Sequence, residues 1–335
     1  MIEAHKLSKQ FGTFHAVRAI DLEVRPGELL ALLGPNGAGK TTTVRMLGAI
    51  LRPSSGSARI CGLDVVTDAQ TIRGKVGLLT EYPGLYGRMI ATEYLDFFGS
   101  LLGLDMATRE ARTDLLLQQF GLWEARERKL DGYSKGMKQK IALVRALIHD
   151  PPVLFLDEPT TAMDPQSART VRDAIGELRQ ADRAILLTTH NLAEAELLAD
   201  RIAIIRGGQI IALGTFAELS RQLLGAPIYE LRLAVPHNIA PAVPALADLI
   251  TVEAASGQTL RYRCTEPALV NPQLLARLAA RNLPVVALAE IPRSLEDVYL
   301  RIVAEDAAAP KQPTAPRQET LAANEMLQQL IEADL

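Results

Sequence analysis

Over the first 226 residues, short apolar runs alternate with stretches of helical periodicity. Leu29–Gly34, Lys75–Glu81, Pro152–Glu158 and Arg183–His190 are nearly continuous in apolar side chains. A strand covered on one face alternates apolar and polar positions, so continuous runs predict central strands of a parallel sheet, buried on both faces. Arg201–Gly214 is strand-like too, but it breaks at Gly207-Gly208, a hairpin signal. Between Glu81 and Pro151 the pattern turns mostly helical, with Ala91–Leu104 and Ala107–Leu122 as two of the helices. Tyr94, Phe97, Phe98 and Leu101 recur there at helical spacing and are predicted to face the core.

A second pattern begins near Pro227. A strand (IYELRLAV), a Pro-punctuated helical stretch, two strands around Ser256-Gly257, a helix, a strand (PVVALAEI) and a last helix (SLEDVYLRIVAE) predict a small β-α-β-β-α-β-α module. The run DAAAPKQPTAPRQET after Glu305 cannot bury enough apolar surface to fold alone, and the closing LAANEMLQQLIEADL reads as an exposed tail or a short helix. The expected organisation is therefore 1–226, with a helical insertion at about 82–150, then 227–304, then a flexible tail 305–335.

Composition narrows the class without changing that picture. A chain of 335 residues with 48% hydrophobic and 22% charged positions suits about two globular domains. The formal net charge of -3 gives no basic face, so no nucleic-acid partner is expected. Cys61 and Cys264 are the only cysteines, which argues against a disulfide scaffold or a zinc site and for a reducing compartment. No run reaches the ~18 apolar residues of a membrane span, and the N-terminus lacks a secretory pattern. Membrane attachment is expected only through a partner.

The strongest chemical signal is Gly34-Pro35-Asn36-Gly37-Ala38-Gly39-Lys40-Thr41, between a predicted strand and a predicted helix. In that context glycines let backbone N–H groups surround phosphate oxygens, and the helix N-terminus adds a favourable dipole. Lys40 is placed for the β- and γ-phosphates, Thr41 for Mg²⁺ and Thr42 for a more proximal phosphate. The run PVLFLDEP ends a strand in Asp157 and Glu158, at the edge where α/β sheets bind ligands. Asp157 suits the Mg²⁺ shell and Glu158 the orientation or deprotonation of water. His190 ends the next strand and can reach the γ-phosphate and attacking water from the same edge. Tyr133-Ser134-Lys135-Gly136-Met137 opens another helix with a good Ser cap followed by a Gly that weakens the first turn. That glycine either relieves crowding or admits a ligand to the backbone.

These elements, in this order from Gly34 to His190, resemble the nucleotide-binding subunit of an ATP-binding cassette (ABC) transporter. The resemblance implies a P-loop α/β fold of the ABC type: a mixed sheet core, an antiparallel β subdomain, a helical insertion and, here, a small C-terminal α+β domain. It implies ATP and Mg²⁺ as cofactors and a homodimer sandwiching two ATP molecules. Ser134, Lys135, Gly136 and Met137 then answer to the signature, usually Leu-Ser-Gly-Gly-Gln, which faces the partner's ATP. Asp164 belongs to the dimer-contact loop Thr161-Ala162-Met163-Asp164, and Phe11 is the aromatic that stacks on adenine. Glu81 stands where the family usually has a Gln that touches Mg²⁺ and relays to the permease. Tyr82, Leu85, Tyr86 and Met89 follow it as the expected groove for an integral membrane permease.

The signature, the PGLYGR segment and the ending SLEDVYLRIV resemble the drug- and ion-export branch. An ATPase driving export of a drug, antibiotic, ion or other small molecule from the cytoplasmic face of the membrane is the implied function. Two rivals are a soluble ABC ATPase uncoupled from transport and a regulatory cassette with weak turnover. The single cassette and acidic balance oppose the first. Intact Lys40, Asp157, Glu158 and His190 oppose the second, which Glu81 and Lys135 favour.

Overall fold

A computed structural model describes residues 1–308 apart from Pro83, Ala162, Gln180, Ala181, Val235 and Pro236, with side chains as far as Ile302. The tail expected after Glu305 therefore falls, beyond Ala308, outside the described residues, as does Ala162 of the expected dimer loop. Two units emerge, the second beginning at Ala217.

The first unit contains β1 (Ile2–Phe11), β2 (Phe14–Val24), β3 (Leu29–Leu33), α1 (Lys40–Leu47), β4 (Ser55–Ile60), β5 (Leu63–Asp64), α2 (Ala69–Arg73) and β6 (Val76–Leu79). There follow α3 (Ala91–Leu101), α4 (Met106–Gln119), α5 (Lys135–Leu147), β7 (Val153–Asp157), α6 (Pro165–Glu177), β8 (Ala184–Thr189), α7 (Leu192–Leu198), β9 (Arg201–Arg206) and β10 (Gln209–Gly214). Six strands form a mixed sheet in the order β10-β9-β3-β8-β7-β6, parallel except for the edge strand β10. A separate antiparallel sheet has the order β2-β1-β4-β5.

The continuous apolar strands serve two cores at once. Leu154 and Leu156 of β7, with Ile185 and Leu187 of β8, face the core shared with the helical insertion. Their alternates Val153, Phe155, Ala184 and Leu186 face the core built with α1 and the antiparallel sheet. Side chains alternate across a strand, so a sheet with two buried faces needs an apolar residue at every position.

Two strands escape the sequence pattern and one sequence expectation fails, each for a physical reason. The N-terminal strands β1 and β2 have no clean alternation, because irregular register at Ala4/Leu7, Leu7/Lys9 and Lys9/Gln10 breaks it. On α3 the buried stripe runs through Ala91, Tyr94 and Leu95, with Phe98 packed against it; Phe97 and Leu101 are 44% and 72% exposed. They were expected in the core and lie outside it.

The second unit has β11 (Ile228–Leu233), a 3₁₀ stretch Ala240–Leu246, β12 (Thr251–Ser256), β13 (Thr259–Arg263), α9 (Pro267–Ala279), β14 (Val285–Glu290) and α10 (Leu295–Ala308). Its sheet is antiparallel in the order β12-β13-β11-β14, the split β-α-β-β-α-β arrangement. Leu231, Leu233, Leu260 and Tyr262 from the two central strands meet Leu274 and Leu278 of α9 in its own core. The unit starts about ten residues before the expected boundary at Pro227 because it takes in most of α8 (Phe216–Leu224). Arg263 donates to the carbonyls of Leu224 (2.8 Å) and Ala226 (3.1 Å), and Arg293 to those of Ser220 (3.3 Å), Gly225 (2.8 Å) and Ala226. These guanidinium groups satisfy the carbonyl of Leu224, which the helix end leaves without a partner, and those of the exit residues Gly225 and Ala226.

The approach of β6 to α5 is set by one glycine. A Cβ on Gly77 would lie 2.2 Å from the Ala146 carbonyl oxygen and 2.6 Å from Leu154. Gly77→Ala is expected to force helix and strand apart at a cost of about 1–3 kcal/mol, read as a lower melting temperature.

Candidate active site

The C-terminal ends of β3, β7 and β8 lie side by side, and the residues singled out by sequence emerge there. The loop from Gly34 to Gly39 turns sharply after β3, with Gly37 and Gly39 at φ 79° and 107°. A Cβ on Gly39 would meet the Ala16 carbonyl oxygen at 2.6 Å, and one on Gly34 the Ile205 carbonyl oxygen at 2.2 Å. Only glycine fits either place. Pro35, Asn36 and Ala38 complete the loop, and Ala38 N–H donates to the Pro35 carbonyl at 3.2 Å.

Lys40 opens α1 and is only 5% exposed. Its ammonium donates to the carbonyls of Gly34 (2.7 Å) and Pro35 (3.2 Å) and lies 3.1 Å from Glu158 Oε1. The contact with Glu158 is an ion pair without hydrogen-bond alignment. Thr42 is half-buried on the same first turn.

Glu158 is buried and its backbone is left-handed, at φ 52°. Such a conformation costs a non-glycine residue roughly 1–2 kcal/mol and persists where its surroundings hold it. Here Glu158 N–H donates to the Thr188 carbonyl at 3.0 Å and Thr188 Oγ1 at 3.2 Å. Its Oε2 accepts from Thr161 Oγ1 at 2.9 Å and lies 2.7 Å from His190 Nδ1. An ionised carboxylate only accepts, so in that state of Glu158 the imidazole proton is on Nδ1. The His190 side chain is half-exposed and open to solvent on its other side.

Asp157 ends β7 beside them. Its Oδ1 accepts from Thr41 Oγ1 at 3.2 Å and from the Thr188 hydroxyl. Burial pushes its carboxyl above the ordinary range, against the pull of the Thr188 and Thr41 hydroxyls. Thr188, which holds both acids, is not singled out by the sequence, and Thr161, named there only within the dimer-contact loop, holds Glu158 as well. The signal was present for Thr188, a hydroxyl at the end of an otherwise apolar strand.

Lys40, Thr41, Asp157, Glu158 and His190 thus form one connected set, while other predicted residues lie apart from it. Ser134 caps α5, its Oγ accepting from Met137 N–H at 3.3 Å, so that amide already has a partner. The Met137 side chain packs against the helical core. A Cβ on Gly136 would lie 3.0 Å from Ser167 Oγ and 3.2 Å from its Cβ, a tight approach to α6 that favours glycine there and is compatible with a ligand role as well. Asp164 caps α6 through Gln166 N–H (3.1 Å) and Ser167 N–H (3.0 Å), and its bonds from Ser167 hold its carboxyl below the ordinary range. The starts of α5 and α6 are therefore neighbours.

Glu81 and Lys135, the two departures from the usual motifs, line one groove with Tyr82, Asp131, Lys138 and Thr161. Tyr82 is 82% exposed; Tyr86 is also exposed, while Leu85 and Met89 pack partly against the helical core. Phe11 closes β1 at the hairpin with Phe14, half-buried, with Lys9 Nζ 5.0 Å from its ring centroid.

A phosphate-cradling loop with paired acids and a histidine at the C-terminal edge of a mixed sheet defines the phosphate-loop class of nucleoside triphosphatase. Residues 17–161 match the family model described as ABC transporter. The daunorubicin/doxorubicin resistance ATP-binding protein DrrA of Streptomyces peucetius is 38% identical over 309 residues, 91% of this chain and 93% of that one. Nod factor export ATP-binding protein I of Paraburkholderia xenovorans is 35% identical over 305 residues, 91% of this chain and 97% of its own. A solved ATP-binding subunit of an ABC transporter aligns with TM-score 0.62 at 32% identity, covering 67% of this chain and 94% of that one. The chain belongs to the ABC transporter family, as an ATP-binding subunit that hydrolyses ATP.

The sign of the Asp157 shift gives a stability prediction. A carboxyl whose folded pKa lies above its unfolded value loses stability as pH rises from the ordinary carboxylate range through the raised pKa. Asp157→Asn removes that loss. Calorimetry at neutral pH should show a higher melting temperature and a flatter slope from acid to neutral pH, alongside lost turnover.

Proposed function

We propose that this chain is the ATPase of an ABC export system, acting as a pair of identical copies on a separate integral membrane permease that moves a drug, antibiotic, ion or other small molecule. The observation that carries this reading is the buried contact of Glu158 with Lys40 at 3.1 Å and with His190 at 2.7 Å. The similarity over 91% of the chain to proteins named for drug resistance and Nod factor export supports the export half.

In this reading the loop Gly34–Thr41 cradles the ATP phosphates, with Lys40 at the β- and γ-phosphates and Thr42 at a more proximal one. The Thr41 hydroxyl and Asp157 carboxylate lie 3.2 Å apart, a hard oxygen pair of the kind Mg²⁺ takes alongside phosphates and waters. Thr41 and Asp157 fit that ion, which would neutralise charge on the β- and γ-phosphates; Glu81 lies in the groove with Lys135 and is proposed as a further oxygen donor from its place in the motif order alone. Glu158 accepts the proton of the attacking water, and His190, fixed through Nδ1, orients water and γ-phosphate through its solvent-facing side. Phe11 offers adenine its ring. Ser134, Lys135 and Gly136 serve the ATP of the second copy, with Met137 setting the helix start by packing, and Asp164 approaches that copy from the neighbouring helix.

Tyr82 and Tyr86, exposed beside Glu81, meet the permease, and the core-packed Leu85 and Met89 shape the surface beneath them. Among the described residues no helix is long and apolar enough to cross a membrane, in keeping with attachment to the cytoplasmic face through that partner.

Glu158→Gln should leave ATP bound and lower steady-state hydrolysis by about 10²–10⁴-fold. Unchanged hydrolysis would remove Glu158 from its role. For the export half, the full chain expressed with its genomic neighbours should co-purify from membranes with an integral protein. Recovery wholly in the soluble fraction, with ribosomes or alone, would favour an ATPase uncoupled from transport.

A further inference from the structure

Glu194 is fully buried and has no part in the reading above. It is the third residue of α7, after Asn191 at the cap. A Glu there ordinarily turns back to the cap's own N–H. Here Asn191 N–H donates instead to Thr189 Oγ1 at 3.0 Å, and Glu194 reaches across the fold, its Oε1 accepting from Thr160 Oγ1 at 2.8 Å. Its Oε2 makes no well-aligned hydrogen bond among the described residues, although the Thr189 hydroxyl also acts on the carboxyl, and Nε of Arg172 on α6 is likewise buried without a partner. A buried polar atom left unpaired is destabilising. Glutamate is therefore a poor choice for packing alone.

Thr160 lies two residues after Glu158 in the loop leading to Asp164, and this bond ties the loop to α7. The helix starts beside His190, and His190 Nδ1 contacts Glu158 Oε2 at 2.7 Å. A closed ring of constraints results: Glu158 to Thr160 along the chain, Thr160 to Glu194 by hydrogen bond, Glu194 back to His190 along the helix start, and His190 to Glu158.

We propose that Glu194 is a positioning residue for ATP hydrolysis, holding the loop after Glu158 through Thr160 so that Glu158 and His190 keep their registry. This rests on the assignment of Glu158 as the water-activating group. Glu194 touches neither nucleotide nor water. Its effect falls on turnover, since the phosphate loop that binds ATP is built independently of it.

Four single variants of the full chain, Thr160→Val, Glu194→Ala, Glu194→Gln and, as reference, Glu158→Gln, together with the double variant Thr160→Val/Glu194→Ala, test this. Hydrolysis, ATP affinity from a fluorescent ATP analogue and melting temperature are measured on each. Thr160→Val and Glu194→Ala should each lower kcat about tenfold or more, with KM and nucleotide affinity within about twofold. Their double variant should be no worse than either alone, as for two ends of one interaction. Glu194→Gln keeps the acceptor oxygen and should stay within about threefold of the parent.

If Thr160→Val hydrolyses ATP at the parent rate, the inference falls, whatever Glu194→Ala does to folding. It falls too if Glu194→Gln is as impaired as Glu194→Ala, because charge rather than the acceptor would then matter. Failure of the underlying assignment looks different: Glu158→Gln itself would turn over normally.

Discussion

The backbone turn at Glu158 is the constraint on which the site depends. An apolar strand ends in two acids, and the second is carried into a left-handed conformation by the paired strand, whose Thr188 supplies both a carbonyl and a hydroxyl to its N–H. The turn sends Asp157 toward Thr41 and Glu158 toward Lys40 and His190, although the two acids are adjacent in the chain. Strain of this kind persists only in a rigid frame. Apolar packing on both faces of β7 and β8 supplies that frame.

Burial has an electrostatic consequence here. Lys40 and Glu158 are both removed from water and face each other, so their mutual charge partly replaces lost hydration. Asp157, beside them, receives hydroxyls and no cation in contact, and its carboxyl is raised by burial. A protein selected only for stability would not keep this concentration of buried charge.

How much of this was legible in the sequence depended on the range of the interactions. The phosphate loop and the strands β3, β7 and β8 were readable because glycine spacing and unbroken apolar runs are local signals. The hairpin of β1 and β2 was not, since its register irregularities hide the alternation. Spacing alone also put Phe97 and Leu101 in the core, whereas the packing of α3 selects a narrower stripe through Tyr94 and Leu95. Of the site, residue identities were legible and partners were not. Thr188, Thr161 and Glu194 act through contacts spanning 31, 3 and 34 residues, and nothing in the sequence near Glu194 distinguishes it from an ordinary first-turn acid. Gly136 shows the limit of sequence spacing: its close approach to Ser167 on α6 is a long-range contact that the local motif does not reveal.

The arginines of the second unit also define where the chain can be divided. Arg263 and Arg293 hold the exit of α8 through the carbonyls of Ser220, Leu224, Gly225 and Ala226. A polypeptide ended at Pro227 would keep that helix and discard the guanidinium groups that cap it, leaving a frayed, protease-sensitive end on the nucleotide-binding part. A cut ahead of Thr215 keeps α8 whole and with the guanidinium groups at its exit. The boundary between β10 and Thr215 is thus the natural seam for exchanging C-terminal units among related cassettes.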